Sequence, residues 1–168
     1  MPKLIYIIGD KNGGKEKRKF VKTEKKLVIA GGSSDTEEFE QKMRNIAKED
    51  TRILFTGFVQ GKILDELYSN AYMYVLPSDL EGMPLSLLEA MSYGNCCLVS
   101  DIEECISVTE DKALSFKKGD IIELGKKLQY ACDNPEIVYK MKSEASEYIC
   151  NKYNWDEVVD KTLELYFD

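Results

Sequence analysis

Histidine is absent from this 168-residue chain. No Ser-His-Asp or Cys-His nucleophilic arrangement can be assembled from it, nor any of the usual His-containing zinc sites. Long apolar runs are missing too: none approaches the ~20 residues needed to cross a bilayer. Any membrane contact is therefore expected to be peripheral, or to be made by parts of the protein outside this chain. No signal peptide is expected, and the sequence holds no Cys-x-x-Cys pair. The five cysteines, Cys96, Cys97, Cys105, Cys132 and Cys150, are odd in number. Reduced core thiols in a cytoplasmic protein are expected, rather than disulfides or a metal. Positive charge is scarce, with 23 Lys and Arg against 30 Asp and Glu and a net charge of −7. A general nucleic-acid binder would show a basic surface, so nucleic acid is not an expected partner; a local basic patch is not excluded. No internal repeat, linker or low-complexity segment interrupts the chain, and its length fits one domain over residues 1–168.

What is present is 43% hydrophobic, enough for a sizeable core. Short apolar runs read as buried parallel strands at Leu4–Ile8, Leu27–Ala30, Arg52–Phe55, Tyr72–Leu76, Cys96–Val99 and Ala113–Phe116. Helical spacing separates them. Lys15–Lys26 is highly charged, with Phe20, Val21 and Leu27 to anchor a short helix. Ser34 with Glu37 makes a capping box for a helix marked by Phe39, Met43, Ile46 and Ala47. Lys62–Asn70 reads as a helix with Ile63, Leu64 and Leu67 inward. Asp120 caps a helix through about Asp133, with Ile121, Leu124, Leu128 and Ala131 on its apolar side, and Asn134-Pro135 ends it. Helices are also expected from Glu136 to about Tyr153 and, capped by Asn154, from Trp155 to Tyr166. Strands alternating with helices predict a parallel α/β sheet, in which ligands bind at the carboxyl ends of the strands. Gly9, Gly31, Gly57 and Glu81 all follow strands and fall on that edge.

The stretch from Pro77 to Gly94 carries the most chemistry. It reads Pro-Ser-Asp-Leu-Glu-Gly-Met-Pro-Leu-Ser-Leu-Leu-Glu-Ala-Met-Ser-Tyr-Gly. A helix with Leu85, Leu88, Met91 and Ser92 on one side is expected behind the loop holding Glu81, Gly82 and Pro84. Pro84 suits a first helical position, because its missing N–H would be unpaired there. The free N–H groups of Leu85 and Ser86 then form an anion site at the helix start. Glu81 flanks it from the loop, and Glu89 lies one turn past Leu85 on the same helix face. An ionised carboxylate accepts both hydroxyls of a cis-diol. A helix start that seeks phosphate, between two carboxylates that seek hydroxyls, suits a nucleotide-sugar.

The Glu-x7-Glu spacing from Glu81 to Glu89, with Gly82 after the first and Ala90-Met91 after the second, resembles the donor-binding signature of retaining GT-B glycosyltransferases of family 4 (glycosyl transferases group 1). Pro77-Ser78 before it, Gly94 after it and then Leu98-Val99-Ser100-Asp101 agree with the same family. The resemblance runs from about Lys26 to the C-terminus. It implies the carboxyl-terminal half of a GT-B fold, a Rossmann-like sheet of about six strands in the order 3-2-1-4-5-6. It implies transfer of a sugar from a nucleoside diphosphate sugar to an acceptor hydroxyl, with an N-terminal acceptor domain outside this chain. It further implies a glycan or lipid-linked glycan as acceptor, as in polysaccharide assembly. By this resemblance Glu89 holds the ribose and Glu81 the donor sugar as the anomeric bond breaks. Gly82, Met83, Pro84, Leu85 and Ser86 supply backbone around the sugar and diphosphate, and Gly31 and Gly57 approach the nucleotide. No cofactor or metal is expected, since no Asp-x-Asp pair stands where a diphosphate-bound metal would sit. The closing Asn154-Trp155-Asp156-Glu157 resembles the family's last helix, which packs on the partner domain.

The front of the chain departs from the pattern. Related transferases carry an Arg after the glycine that follows the first strand; here Asp10 follows Gly9. Lys15 falls at the spacing of the family's second phosphate-bracing cation. Two readings stay open: the donor-binding domain of such a transferase, or a non-catalytic Rossmann-type nucleotide-binding or interaction domain descended from one.

Overall fold

The computed structural model describes residues 21–31 and 37–167. Its elements run β1 (Leu27–Ala30), α1 (Glu37–Ala47), β2 (Ile53–Gly57), α2 (Lys62–Asn70), β3 (Tyr74–Leu76), α3 (Leu85–Ser92), β4 (Cys97–Ser100), α4 (Glu103–Thr109), β5 (Leu114–Phe116), α5 (Ile121–Asp133), α6 (Pro135–Lys152) and α7 (Trp155–Phe167). The strands are parallel throughout. β1 pairs with β2, and β3-β4-β5 form a second sheet in that order. Among the described residues there are thus two small sheets rather than the expected single sheet of six strands. The run Leu4–Ile8, expected at the centre of that order, lies outside the described residues.

The central strand β4 is buried along its whole length. Its side chains alternate between two cores, as pleating requires. Leu98 points into a core with Val75, Phe116, Leu124, Leu128 and Val138. Cys97 and Val99 point into another with Leu87, Ala90, Met91, Cys105 and Val108. Helix α5 covers the first face, α3 and α4 the second. Helix α6 serves both, through Val138 on one side and Ala145 and Ile149 on the other. The two sheets share the first core through Leu27, with Ile29 and Ile53 against it.

Several expected elements are found with changed detail. Asp120 caps α5 as expected, accepting from the Ile122 and Glu123 N–H groups. Pro135 opens α6 at its first turn, where a missing N–H costs nothing. Asn154 accepts from the Asp156 N–H at the start of α7. Residues 21–26 are not helical, in contrast to the helix expected over Lys15–Lys26. Val21 is buried in the first core, and the Arg52 guanidinium donates to the Val21 and Thr23 carbonyls at 3.1 and 2.7 Å. Asp50 holds that guanidinium from the other side and raises its pKa, chiefly through the hydrogen bond. The Ser34 cap lies outside the described residues.

Helix faces also differ from the expected ones. Ile63 and Ile46 are exposed, not inward. In α2 the inward stripe is Leu64, Leu67 and Tyr68, continued by Ala71 beyond the helix end, which leaves Ile63 one residue off the face. In α3 the buried residues are Leu87, Ala90 and Met91; Leu85 and Ser92 are exposed and Leu88 half-buried. Helix α4 was not expected from the sequence at all.

Candidate functional site

The loop from β3 to α3 is built by short-range bonds. Ser100, at the end of β4, donates through its hydroxyl to the Ser78 carbonyl. The Ser78 hydroxyl in turn donates to the Glu81 carboxylate. Glu81 is thereby held, half-buried, at the carboxyl edge of the sheet. Its charge reaches Cys105 of α4. That thiol's pKa is pushed up to about 11, by burial first and then by the charges of Glu81 and Glu104.

Pro84 is the residue before the helix, not its first turn, with φ −77° and ψ 72°. Those angles are an inverse γ-turn, and the matching bond is present: Leu85 N–H donates to the Met83 carbonyl at 2.8 Å. The Leu85 amide expected to be free is therefore engaged. The tight turn takes it because proline fixes φ near the value the turn needs. The Ser86 N–H has no backbone acceptor among the described residues. Gly82 and Met83 are exposed beside it, and a side chain at Gly82 would meet open space.

Glu89 is exposed on α3, on the face it shares with Leu85. The Tyr68 hydroxyl lies 3.2 Å from its Oε2. Tyr74 donates to the Ser86 hydroxyl at 2.8 Å. Both tyrosines are buried, at 7% and 6% exposure, so each ring lies in the core and only its hydroxyl reaches the site. Neither they nor Ser78 and Ser100 were given a site role from the sequence, although the two serines stand in the motif's flanks. A tyrosine inside a helical or strand apolar stripe looks like any core aromatic; only the fold shows where the hydroxyl ends.

Gly31 and Gly57 come together as expected of neighbours at one sheet edge. Gly31 N–H donates to the Gly57 carbonyl at 2.9 Å. Both have positive φ, 135° and 66°, and added side chains would point into open space. Phe58, just past Gly57, is 75% exposed. Gly9 and Lys15, with Asp10, lie outside the described residues. At the opposite, amino edge, a cavity of about 10 Å³ lies among Val21, Thr23, Lys25, Leu27, Asp50, Arg52 and Ile53. It has room for a water at most. Among the described residues no three His, Cys, Asp or Glu side chains cluster as a metal would need.

The fold recurs in solved structures of distant sequence. A structure of Anabaena HepE in complex with UDP and glucose superposes with a TM-score of 0.79 at 13% identity, over 87% of this chain and 41% of that one. Sucrose-phosphate synthase from Thermosynechococcus elongatus superposes at 0.76 with 23% identity, over 84% of this chain and 38% of that one. The family follows from the sequence. The model for glycosyl transferases group 1 matches residues 14–164, and the chain belongs to that family. An Escherichia coli UDP-Gal:alpha-D-GlcNAc-diphosphoundecaprenol alpha-1,3-galactosyltransferase is 35% identical over 144 residues, 84% of this chain. An uncharacterised glycosyltransferase of Methanocaldococcus jannaschii is 29% identical over 145 residues. The chain spans 36% of the length of each of these two relatives.

Proposed function

We propose that this chain is the donor-binding half of a retaining GT-B glycosyltransferase that moves a sugar from a nucleoside diphosphate sugar to an acceptor hydroxyl. The observation that carries the reading is the pair Glu81 and Glu89 on either side of the Pro84 turn, with the open Ser86 N–H between them. Glu89 takes the ribose diol. Glu81 takes hydroxyls of the transferred sugar. The start of α3, through its dipole and the Ser86 N–H, receives the diphosphate. Gly31 and Gly57 let the nucleotide approach the backbone, and Gly9 and Lys15 complete the phosphate side.

In the reaction the C1–O bond to the diphosphate breaks and its electron pair stays with the departing diphosphate, which takes up the acceptor hydroxyl's proton as the acceptor oxygen bonds to C1 from the same face, so that the anomeric configuration is kept. The site's task is to stabilise the developing negative charge and hold the sugar while C1 gains oxocarbenium character. No protein nucleophile or metal takes part. The same reading takes the sheet as six-stranded, in the order 3-2-1-4-5-6 counted in the strand numbering of the GT-B domain rather than in the labels used above. An N-terminal domain supplies the acceptor, a glycan or lipid-linked glycan. The Escherichia coli relative's undecaprenol-linked acceptor supports that class, and peripheral membrane contact on the cytoplasmic side follows from it.

The test is calorimetric titration of UDP, GDP and ADP into the chain, with Glu89→Ala as control. Saturable binding of one nucleotide, weakened in the variant, supports the reading and names the base. At ~100 Kd the ligand should also stabilise the fold by roughly 2.7 kcal/mol. The competing reading, a non-catalytic relative, draws on Asp10 and on the engaged Leu85 N–H. Absence of binding at millimolar nucleotide, repeated on the full-length protein, would establish it.

A further inference from the structure

We infer that Tyr68 is a positioning residue for Glu89: its buried hydroxyl fixes the carboxylate that receives the ribose diol. The inference rests on the donor-binding reading above and adds a residue to it. Glu89 is exposed, and an exposed glutamate ordinarily samples several rotamers at the expense of binding entropy. Tyr68 does not sample them. Its ring is packed in the core between Tyr74, at 6.0 Å between centroids, and Tyr93, stacked at 5.4 Å with 25° between planes. Tyr93 is anchored in turn, donating through its hydroxyl to Asp65 at 2.8 Å. The Tyr68 backbone is anchored as well, its carbonyl accepting from the buried Asn95 amide at 3.0 Å.

Among the described residues the hydroxyl at the end of this stack has two acceptors in reach, the Glu89 carboxylate at 3.2 Å and the Ser86 carbonyl at 3.4 Å. A phenol has one proton to give. The carboxylate is nearer and charged, so it is the better acceptor. With Oε2 so engaged, Oε1 is left for the ligand. A separation of 3.2 Å is long for O–H···O, so the bond is worth less than a short charge-assisted one. Its value lies in orientation: α2, through Tyr68, sets the rotamer of a residue on α3.

The experiment measures binding of UDP, GDP and ADP to the chain, then of the 2′,3′-dideoxy analogue of the one that binds. Tyr68→Phe keeps the ring and removes only the hydroxyl. It should weaken binding of the natural nucleotide roughly five-fold, the scale of one modest hydrogen bond. It should leave the dideoxy analogue unaffected, and have no further effect in a Glu89→Ala background. A loss that persists with the dideoxy analogue, or that adds to Glu89→Ala, means that Tyr68 acts only through folding and overturns the inference. Should Tyr68→Phe fail to fold, Tyr93→Leu removes the exposed half of the stack and is read in the same titrations. Failure of the unaltered chain to bind any of the three nucleotides overturns the donor-binding reading itself, a result distinct from either.

Discussion

The buried side chain of Asn95 donates to the Tyr68 carbonyl at 3.0 Å, and so joins the end of α2 to the turn that follows α3. The same amide donates to the Ala90 carbonyl at 3.0 Å, and its oxygen faces Lys142 Nζ of α6 at 3.5 Å. Gly94, with φ 70°, makes this geometry possible. It closes α3 with a left-handed residue, its N–H bonding Met91 and the Asn95 N–H bonding Ala90, the pattern of a Schellman stop. Asn95→Ala removes the donor and leaves the carbonyls of Tyr68 and Ala90 less satisfied within the core. The expected cost is about 1–3 kcal/mol in urea unfolding. Nucleotide binding should weaken as well, since the bond it removes also holds the Tyr68 backbone.

Ser78 offers a separate handle on Glu81. Its carbonyl is held by Ser100 and its hydroxyl by the Glu81 carboxylate, so β4 fixes the loop and the loop fixes the carboxylate. Ser78→Ala frees Glu81 without touching Glu89. If Glu81 contacts the transferred sugar, the variant binds the nucleoside diphosphate as before and binds the sugar-bearing donor roughly five-fold more weakly, the value of one hydrogen bond. Comparing the two ligands by calorimetry reads this directly. Equal losses for both would assign Glu81 to the nucleotide.

These two predictions show where the sequence was informative and where it was not. Local chemistry was legible. The five strand runs from Leu27 onward, the Asp120 and Asn154 caps, and the placing of Glu81, Gly31 and Gly57 after strands all rest on residues close in the chain. The misses are long-range or too short to leave a pattern. Residues 21–26 are shaped by Arg52, some thirty positions away. Helix α4 has seven residues and no side-chain cap, so its buried Cys105, Val108 and Thr109 span little more than one turn. Pro84 is compatible with both a first helical turn and the γ-turn it forms, and sequence does not separate them. The hydroxyls of Tyr68 and Tyr74 reach the site only because α2 and β3 pack beneath α3.

The buried thiols and Tyr72 set an alkaline limit on stability. Burial pushes Cys96 up to about 12 from the ordinary 9.0, and pushes Cys97 well up also. Tyr72, buried and donating to the Ala131 carbonyl at 2.7 Å, is likewise pushed up to about 12, first by desolvation. A group whose pKa is higher folded than unfolded contributes stability that is complete below the unfolded value and lost as pH rises through the folded one. Stability should therefore hold at pH 8 and fall from about pH 9 upward. Urea midpoints measured from pH 7 to pH 11 test this, with a shallower decline in Cys96→Ala. In the native protein at pH 8, a disulfide reagent should label exposed Cys150 first and half-buried Cys132 slowly. Cys96, Cys97 and Cys105 should react only in denaturant.

Helix α7 stands apart from every core. All its described side chains are exposed, and none belongs to either large cluster. Its side-chain support is internal: the Asn154 cap, the Thr162 hydroxyl donating to the Val158 carbonyl, and the Glu157–Lys161 pair at 3.6 Å, an exposed contact of small value. Deleting residues 155–168 should therefore leave the urea midpoint of the remaining chain unchanged by circular dichroism. The slope of the transition should be nearly unchanged too, because the helix hides little surface that unfolding would expose. The single tryptophan gives a second reading. Trp155 is 77% exposed, so its native emission should match tryptophan in water, yield to acrylamide quenching, and shift little on unfolding. A blue-shifted, protected native emission would mean that α7 is covered in solution, and the truncation would then lower the midpoint. If the emission is water-like, adding the acceptor domain proposed above should shift it to the blue, provided that α7 packs on that domain as the family resemblance implies.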